Sequence, residues 1–233
     1  RIKLLFLIPN LYQGGCQRLV SEFSLNFPEY METSIVLFEK KISYPYKGNI
    51  IDLETPFSGN FFLHIYYFFT RLLKFKKIVA QKRPDYVLSF VDTGNMLNVL
   101  MNRSAILHVD NCLSQTSRGF RGFVFKLFVR LLFNRAQRII VVSRMIEEDL
   151  VKNFGIAPSK IQVIHNPVDI EKIQKLSHEP IEQKYQEIFA HPVVITMGRL
   201  IKEKGQEHLV RAFERVKRAI PEGRCTVGAA RCC

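Results

Sequence analysis

Two basic side chains, Arg199 and Lys204, lie around a glycine-containing turn late in the sequence. An apolar run at residues 193–197 comes before this turn and predicts a buried strand. An amphipathic segment that Pro221 stops comes after it and predicts a helix. Where a parallel strand ends and a helix begins, backbone amides and nearby cations bind phosphate groups. The segment therefore predicts a diphosphate site held by Arg199 and Lys204.

A second glycine turn, Gly14-Gly15, lies between an apolar run at residues 3–8 and a helical pattern at residues 16–26. Adjacent glycines let the backbone approach a ligand and offer amides to an anion. A tight strand-to-helix turn also needs glycine for steric reasons, so both interpretations stay open. The pair fits neither the G-x-G-x-x-G dinucleotide fingerprint nor the G-x-x-x-x-G-K-[ST] phosphate loop.

His108 and Asp110 lie at the end of the strand predicted at residues 105–109. Side chains two residues apart on an extended strand point to the same face, so either of them can reach a ligand beyond the strand end. Whether His108 binds a ligand or is a buried, hydrogen-bonded residue stays open.

Metal ligands are not grouped in this sequence. An Asp-x-Asp pair, which would hold a diphosphate through a divalent cation, does not occur. The five cysteines have no metal-site spacing, and their odd number and scatter predict reduced thiols in a cytosolic setting. They are Cys16, Cys112, Cys225, Cys232 and Cys233. We therefore expect neither a metal nor a cofactor.

The elements that must position these residues alternate along the chain. Apolar runs lie at residues 3–8, 33–38, 86–90, 105–109 and 138–142, and helical patterns lie between them at 16–26, 61–81, 95–101, 120–135 and 144–153. Short runs rich in Leu, Ile, Val and Phe are typical of buried parallel strands. The alternation predicts an α/β fold with a doubly wound parallel sheet.

The net charge of +13 is concentrated in the middle of the chain, where residues 61–140 contain thirteen Lys or Arg and three Asp. Such a segment predicts an anionic partner, either nucleic acid or a membrane surface. Because no recognition motif is present and the basic residues alternate with Phe and Leu, we expect the membrane rather than nucleic acid. No apolar run reaches the length of a membrane-spanning helix.

The segment 120–135 carries two apolar stripes at helical spacing. We expect the larger stripe to pack on the sheet; it consists of Phe120, Phe123, Val124, Leu127, Phe128, Leu131 and Leu132. The smaller stripe, Phe125, Val129 and Phe133, is flanked by basic residues. It either packs against neighbouring helices or meets a membrane, and the charge concentration favours the membrane.

Five segments in this order resemble those of family 4 glycosyltransferases, which have the GT-B fold of two Rossmann-like domains. They are Gly14-Gly15-Cys16-Gln17-Arg18, residues 82–90, residues 140–143, residues 164–169, and Gly198-Arg199-Leu200 with Lys204-Gly205. The resemblance implies retaining transfer of a sugar from a nucleotide-diphosphate sugar to a polysaccharide or glycolipid precursor. It also implies a cytoplasmic protein, peripheral on the inner face of a membrane.

The resemblance also implies residue roles. Arg199 and Lys204 would hold the donor diphosphate, with Gly14 and Gly15 close to the donor phosphates and the acceptor. Relatives carry a His followed by Asp or Asn near the acceptor and the transferred sugar. Here the favoured strand-end position is occupied by Asp110, and His108 lies two residues earlier. These two residues are the catalytic candidates.

The predicted domains are an acceptor-side domain at residues 1–166, a crossover at 167–190 and the start of a nucleotide-sugar-binding domain at 191–233. The Glu-x7-Glu motif of the family has no counterpart in the sequence. We therefore expect a truncated or frame-shifted chain without transferase activity. The alternative is a non-catalytic remnant or a peripheral membrane-binding module.

Overall fold

The computed structural model describes residues 1–102, 104–116, 119–198 and 200–229. The chain divides into two compact units, Arg1–Pro167 and Val168–Cys233. Each unit has its own parallel sheet, and each is described by itself.

The described residues of the first unit form one sheet of seven parallel strands. The strands are β1 (Ile2–Ile8), β2 (Met31–Leu37), β3 (Asn49–Asp52), β4 (Tyr86–Ser89), β5 (Ala105–Val109), β6 (Arg138–Val141) and β7 (Ile161–Val163). Their spatial order is β3-β2-β1-β4-β5-β6-β7. Central strands are buried on both faces, which is why β1 is apolar almost throughout. The predicted doubly wound α/β fold is confirmed.

The described residues between these strands form six α-helices. They are α1 (Gly15–Asn26), α2 (Phe61–Lys82), α3 (Val91–Met101), α4 (Leu113–Thr116), α5 (Gly119–Leu132) and α6 (Arg144–Phe154). The side chains of Asn60 and Ser143 cap the N-termini of α2 and α6, because each accepts a hydrogen bond from a backbone amide of the first turn. Helix α6 ends at Gly155, whose φ of 66° is in the left-handed region. None of the helices among the described residues is both long enough and apolar enough to cross a membrane.

The sheet has a different helix layer on each face. On one face, Leu19 and Val20 of α1 pack against Phe6 and Leu88. On the other face, residues of α2 and α3 pack on β1, β2 and β4, and residues of α3, α5 and α6 pack on β5 and β6. Val87 pairs with Ala105 across β4 and β5, and paired residues of a parallel sheet share a face. Helices α2, α3, α5 and α6 therefore cover the same face.

The orientation predicted for α5 was wrong. Val129 and Phe133, placed on the membrane-facing stripe, are fully buried, and Phe125 packs on the same core as Phe128 and Leu132. These five positions follow the i, i+3, i+4, i+7, i+8 spacing of a buried helix face.

The larger stripe of α5, predicted to pack on the sheet, is instead mostly exposed: Phe123 is 65% exposed and Leu131 is 63% exposed. Both arcs of the helix are apolar, so the pattern alone did not select between them. Phe120, the first residue of that stripe, has a side chain outside the described part of the structure.

The described residues of the second unit form two parallel strands, β8 (Val193–Gly198) and β9 (Arg224–Ala229). They also form three α-helices, α7 (Ile170–Ser177), α8 (Gln183–Phe189) and α9 (Gln206–Ala219). A 3-10 turn, Lys202–Lys204, connects β8 to α9. Ile195 and Met197 of β8 are exposed.

Candidate functional site

The order of the strands defines where a ligand would bind in the first unit. From β1 the chain builds outward to β2 and β3, and it then returns to add β4 on the other side of β1. In open α/β sheets, ligands bind beyond the carboxyl ends of the strands at such a reversal. The Gly14-Gly15 turn follows β1, and Asp92 follows β4. Both therefore lie at the reversal point.

The glycine turn contains residues with unusual backbone conformations. Gln13 has φ 36°, in the left-handed region, and Gly14 is the N-cap of α1. The turn is attached to the loop after β2, because Gln13 N donates to Ser43 Oγ at 3.1 Å and Gly14 N donates to the Tyr44 hydroxyl at 3.4 Å. A Cβ at Gly15 would meet no atom within 4 Å. Open space therefore lies beside the first turn of a helix whose cap has no side chain, which suits an anion.

Asp110 joins the glycine turn to the end of β5. Cys16 Sγ donates to Asp110 Oδ2 at 2.8 Å, and Asn111 Nδ2 donates to Asp110 Oδ1 at 2.9 Å. Burial, followed by the charge of Asp110, raises the pKa of the Cys16 thiol, which keeps it protonated as the donor. The structure thus brings Gly15 and Cys16 together with Asp110, which is 94 residues after Cys16 in the sequence.

His108 is buried two residues before Asp110, near the end of β5. Its ring lies 5.0 Å from that of Phe90. Burial lowers the pKa of His108, which favours the neutral imidazole. Among the described residues, Nδ1 has no hydrogen-bond partner. The catalytic role of His108 and Asp110 stays a prediction.

A buried polar network lies behind these residues and fixes the end of β5. Asn95 Nδ2 donates to the His108 carbonyl at 2.9 Å, and Ser89 Oγ donates to Asn95 Oδ1 at 2.7 Å. Asn98 Nδ2 donates to the carbonyl of Val87 at 2.9 Å. Buried hydrogen bonds of this kind hold neighbouring strand ends in one arrangement. The network therefore positions the backbone on which His108 and Asp110 are placed.

Asp92 is a candidate residue that the sequence analysis missed. It follows Val91, whose φ of 64° is rare for a β-branched residue. Burial and the charge of Asp110 together raise the pKa of Asp92 to about 6. Within the described ranges, no hydrogen bond to its carboxylate is found. Its place directly after a buried strand was the available signal, but its proximity to Asp110 is set by the fold.

We expect Asp92→Asn to stabilise the protein at neutral pH. The folded protein holds the Asp92 proton more tightly than the unfolded chain does, because the folded pKa of about 6 exceeds the ordinary value of 3.8. The wild type therefore loses stability as the pH rises from about 4 to about 6. Asparagine avoids this penalty, and the expected gain is about 1–3 kcal/mol at pH 7. Urea unfolding across this pH range measures it.

The control for this prediction is the same comparison at low pH. Below about pH 3, Asp92 is protonated in both the folded and the unfolded state, so the gain should disappear. A gain that is the same at every pH would show that the substitution acts through packing or helix propensity, and not through the charge of Asp92.

Lys204, one of the two predicted diphosphate-site residues, lies in the 3-10 turn that follows β8. Lys202 and Lys204 are exposed in the 3-10 turn, and Gly205 follows with φ 65°, which favours glycine. The Cγ of Lys204 is 3.9 Å from the position of a Cβ at Gly198, so the Lys204 stem lies beside the strand end. Arg199 lies outside the described residues. The binding roles of Arg199 and Lys204 stay predictions.

The described residues include no group of three or more His, Cys, Asp or Glu side chains that could hold a metal ion. That finding does not test whether the site works without a metal, which stays a prediction.

A doubly wound parallel sheet with a glycine turn and carboxylates at its reversal point is typical of Rossmann-like α/β proteins that bind phosphorylated ligands. The sequence profile of Glycosyltransferase Family 4 matches residues 14–172, more than half of the chain. The chain therefore belongs to glycosyltransferase family 4.

Two curated relatives are similar to this chain in sequence, and one crystal structure is similar to it in fold. An N-acetylgalactosamine-N,N'-diacetylbacillosaminyl-diphospho-undecaprenol 4-alpha-N-acetylgalactosaminyltransferase of Campylobacter jejuni is 27% identical over 226 residues, which are 92% of this chain and 60% of the relative. An uncharacterized glycosyltransferase of Methanocaldococcus jannaschii is 29% identical over 170 residues, which are 67% of this chain and 42% of the relative. The chain thus spans about half the length of these relatives.

The crystal structure is that of Anabaena HepE in complex with UDP and glucose. It superimposes with a TM-score of 0.64 at 14% identity, covering 97% of this chain and 61% of HepE. At this identity the likeness shows the fold alone.

Proposed function

We propose that the protein transfers a sugar from a nucleotide-diphosphate sugar to a glycan or lipid-linked acceptor in cell-surface polysaccharide synthesis, with retention of anomeric configuration. Membership of glycosyltransferase family 4 supports this proposal. The observation that carries it is the Cys16–Asp110 hydrogen bond of 2.8 Å, which joins a glycine turn to a carboxylate at the reversal point of the sheet. An anion-binding turn beside a hydrogen-bond acceptor for hydroxyl groups suits a phosphorylated sugar and its acceptor.

The donor is proposed to bind through its diphosphate to Arg199 and Lys204. When the sugar leaves, negative charge builds on the diphosphate oxygens, and fixed cations stabilise that charge. This use of Arg and Lys needs no metal or cofactor. HepE was crystallised with UDP, which supports a nucleoside diphosphate as the ligand class.

The acceptor is proposed to bind at the Gly14-Gly15 turn beside Asp110 and His108. The Asp110 carboxylate can accept a hydrogen bond from an acceptor hydroxyl. His108 is buried two residues before it on β5. The name of the Campylobacter relative includes a diphospho-undecaprenol-linked sugar, which supports a lipid-linked acceptor. We further propose that the protein works in the cytoplasm, peripherally on the inner face of an anionic membrane, and not on nucleic acid.

Binding of nucleoside diphosphates tests the proposal. We expect UDP or GDP at 100 times its Kd to raise the free energy of unfolding by about 2.7 kcal/mol. Differential scanning calorimetry of the purified chain measures this as a higher Tm. Uridine and guanosine are the matched controls, because they lack the phosphates that the cations are proposed to hold. No response to any nucleoside diphosphate, or an equal response to the nucleosides, would contradict the proposed donor site.

A further inference from the structure

Helix α2 has an unburied stripe of large apolar side chains. Phe62, Tyr66, Phe69 and Leu73 follow one another at i, i+4, i+7 and i+11, and Phe62 and Leu73 are 80% and 71% exposed. The stripe is about 16 Å long at the helical rise of 1.5 Å per residue. On the opposite side of the helix, Phe75 is fully buried against the sheet. The exposed stripe therefore does not belong to the hydrophobic core of this unit.

Helix α5 has a comparable exposed stripe on the arc that the sequence analysis had assigned to the core. Phe123, Leu127 and Leu131 are all exposed, whereas Val129 and Phe133 are buried beneath them. Because α2 and α5 lie on the same face of the sheet, both stripes point away from that face. We call the four α2 residues and these three α5 residues the apolar face.

Basic side chains accompany both stripes. Lys76 and Lys77 are exposed in the turns that follow the α2 stripe, and Lys126 and Arg130 alternate with the α5 stripe. Within the described ranges, none of these four pairs with a carboxylate. Lys74 differs, because its Nζ lies 3.5 Å from Glu54 and 2.6 Å from the Leu53 carbonyl. Unpaired cations beside exposed aromatic rings are typical of surfaces that meet anionic headgroups.

We propose that the apolar face docks on an anionic phospholipid surface, with its aromatic and leucine side chains at the acyl boundary and the four cations at the headgroups. This deepens the proposed membrane association by naming the surface, and it rests on that part of the proposed function. A second copy of the chain fits less well. Residues 61–140, which contain this face, carry thirteen basic and three acidic residues, so two copies would repel each other.

Vesicle co-sedimentation tests the proposal on the purified chain. We expect binding to vesicles of phosphatidylglycerol and phosphatidylcholine, weaker binding to phosphatidylcholine alone, and release as salt rises. Replacing Phe62, Tyr66, Phe69 and Leu73 with Ser should lower the partition coefficient between vesicles and solution at least about 10-fold, because the apolar area that inserts into the membrane is lost. Replacing Lys76 and Lys77 with Gln should weaken it about 5-fold per lysine, and only on anionic vesicles.

The matched control is Tyr30→Ser, an exposed aromatic residue outside the apolar face, which should leave vesicle binding unchanged. Because all the substituted side chains are exposed, circular dichroism and Tm should show that the α2 variant stays folded. A folded α2 variant that binds vesicles like the wild type would overturn the proposal. So would a wild-type dimer in analytical ultracentrifugation that the same substitutions convert to monomer.

Nucleotide binding separates this proposal from the proposed donor site. If vesicle binding is absent while UDP or GDP still raises the Tm, the docking surface is wrong and the donor site stands. If vesicles bind and no nucleotide does, the docking surface stands and the donor site is wrong.

Discussion

Replacing Phe125, Val129 and Phe133 together with serine is expected to unfold the first unit. Val129 and Phe133 are fully buried in a cluster with Ala105, Leu107 and Ile139. Large-to-small changes at such positions leave cavities, and replacing one buried Phe with Ala costs about 3–5 kcal/mol. Serine adds a hydroxyl that the apolar surroundings cannot satisfy. The sum approaches the whole stability of an ordinary domain, about 5–15 kcal/mol.

The exposed arc of the same helix gives the matched control. Phe123, Leu127 and Leu131 replaced together with serine remove a similar apolar volume from the surface, where such changes cost little. Urea unfolding followed by circular dichroism should show a native transition for this control and none for the buried triple. If both variants unfold at the same urea concentration, the orientation of α5 in the structure is wrong.

The strands were predictable because burial on both faces makes them apolar throughout. The runs at residues 3–8 and 105–109 correspond to β1 and β5 within one or two residues. Strand β3, only four residues long at the sheet edge, was missed because its Asn and Asp ends dilute the apolar signal. Local composition thus predicts whether a segment is a helix or a strand. It does not predict which strand lies at the edge of the sheet.

The rotation of α5 was not predictable by the same reasoning. A helix normally has one apolar arc, and the other arc is polar, so the pattern identifies the buried side. In α5 both arcs are apolar, and the choice between them depends on which arc fits Leu107 and Ile139 on the strands below. That fit is a tertiary property. The buried arc of α5 was therefore predicted wrongly. The arc that the structure leaves exposed is apolar, and its exposure requires an explanation of its own.

Only those candidate site residues that belong to a motif or a strand end could be identified from the sequence. Gly14, Gly15 and Asp110 were found from a turn motif and a strand end, and the structure places them together. Asp92 belongs to no motif, and Cys16 was noted only as part of the glycine segment. Their nearness to Asp110 comes from the order of β1, β4 and β5. Asp92 is also costly to the folded state, because its charge is buried beside another carboxylate. Such costs are common where a protein binds a ligand.

Arg199→Ala and Lys204→Ala are each expected to lower donor kcat/KM by on the order of 10²-fold or more, the scale of losing one preorganised charge contact in a transition state. Of the two residues, only Lys204 has a position that the structure describes. Its Cγ lies 3.9 Å from the point that a Cβ at Gly198 would occupy, and Gly205, with φ 65°, forms the turn beside it. The measurement is transfer kinetics with a nucleotide-diphosphate sugar, in a version of the protein extended to the length of its relatives.

Lys202→Ala is the matched control for these two variants. Lys202 lies in the same 3-10 turn and carries the same charge. Its side chain is exposed, and no hydrogen bond or ion pair of its ammonium group is found among the described residues. If the turn acts as a shaped site, Lys204→Ala should reduce kcat/KM far more than Lys202→Ala does. The salt dependence of donor use should also change little in Lys202→Ala. Equal losses at Arg199, Lys202 and Lys204 would mean that the turn attracts the donor through its summed positive charge, and the diphosphate would then need another binding site.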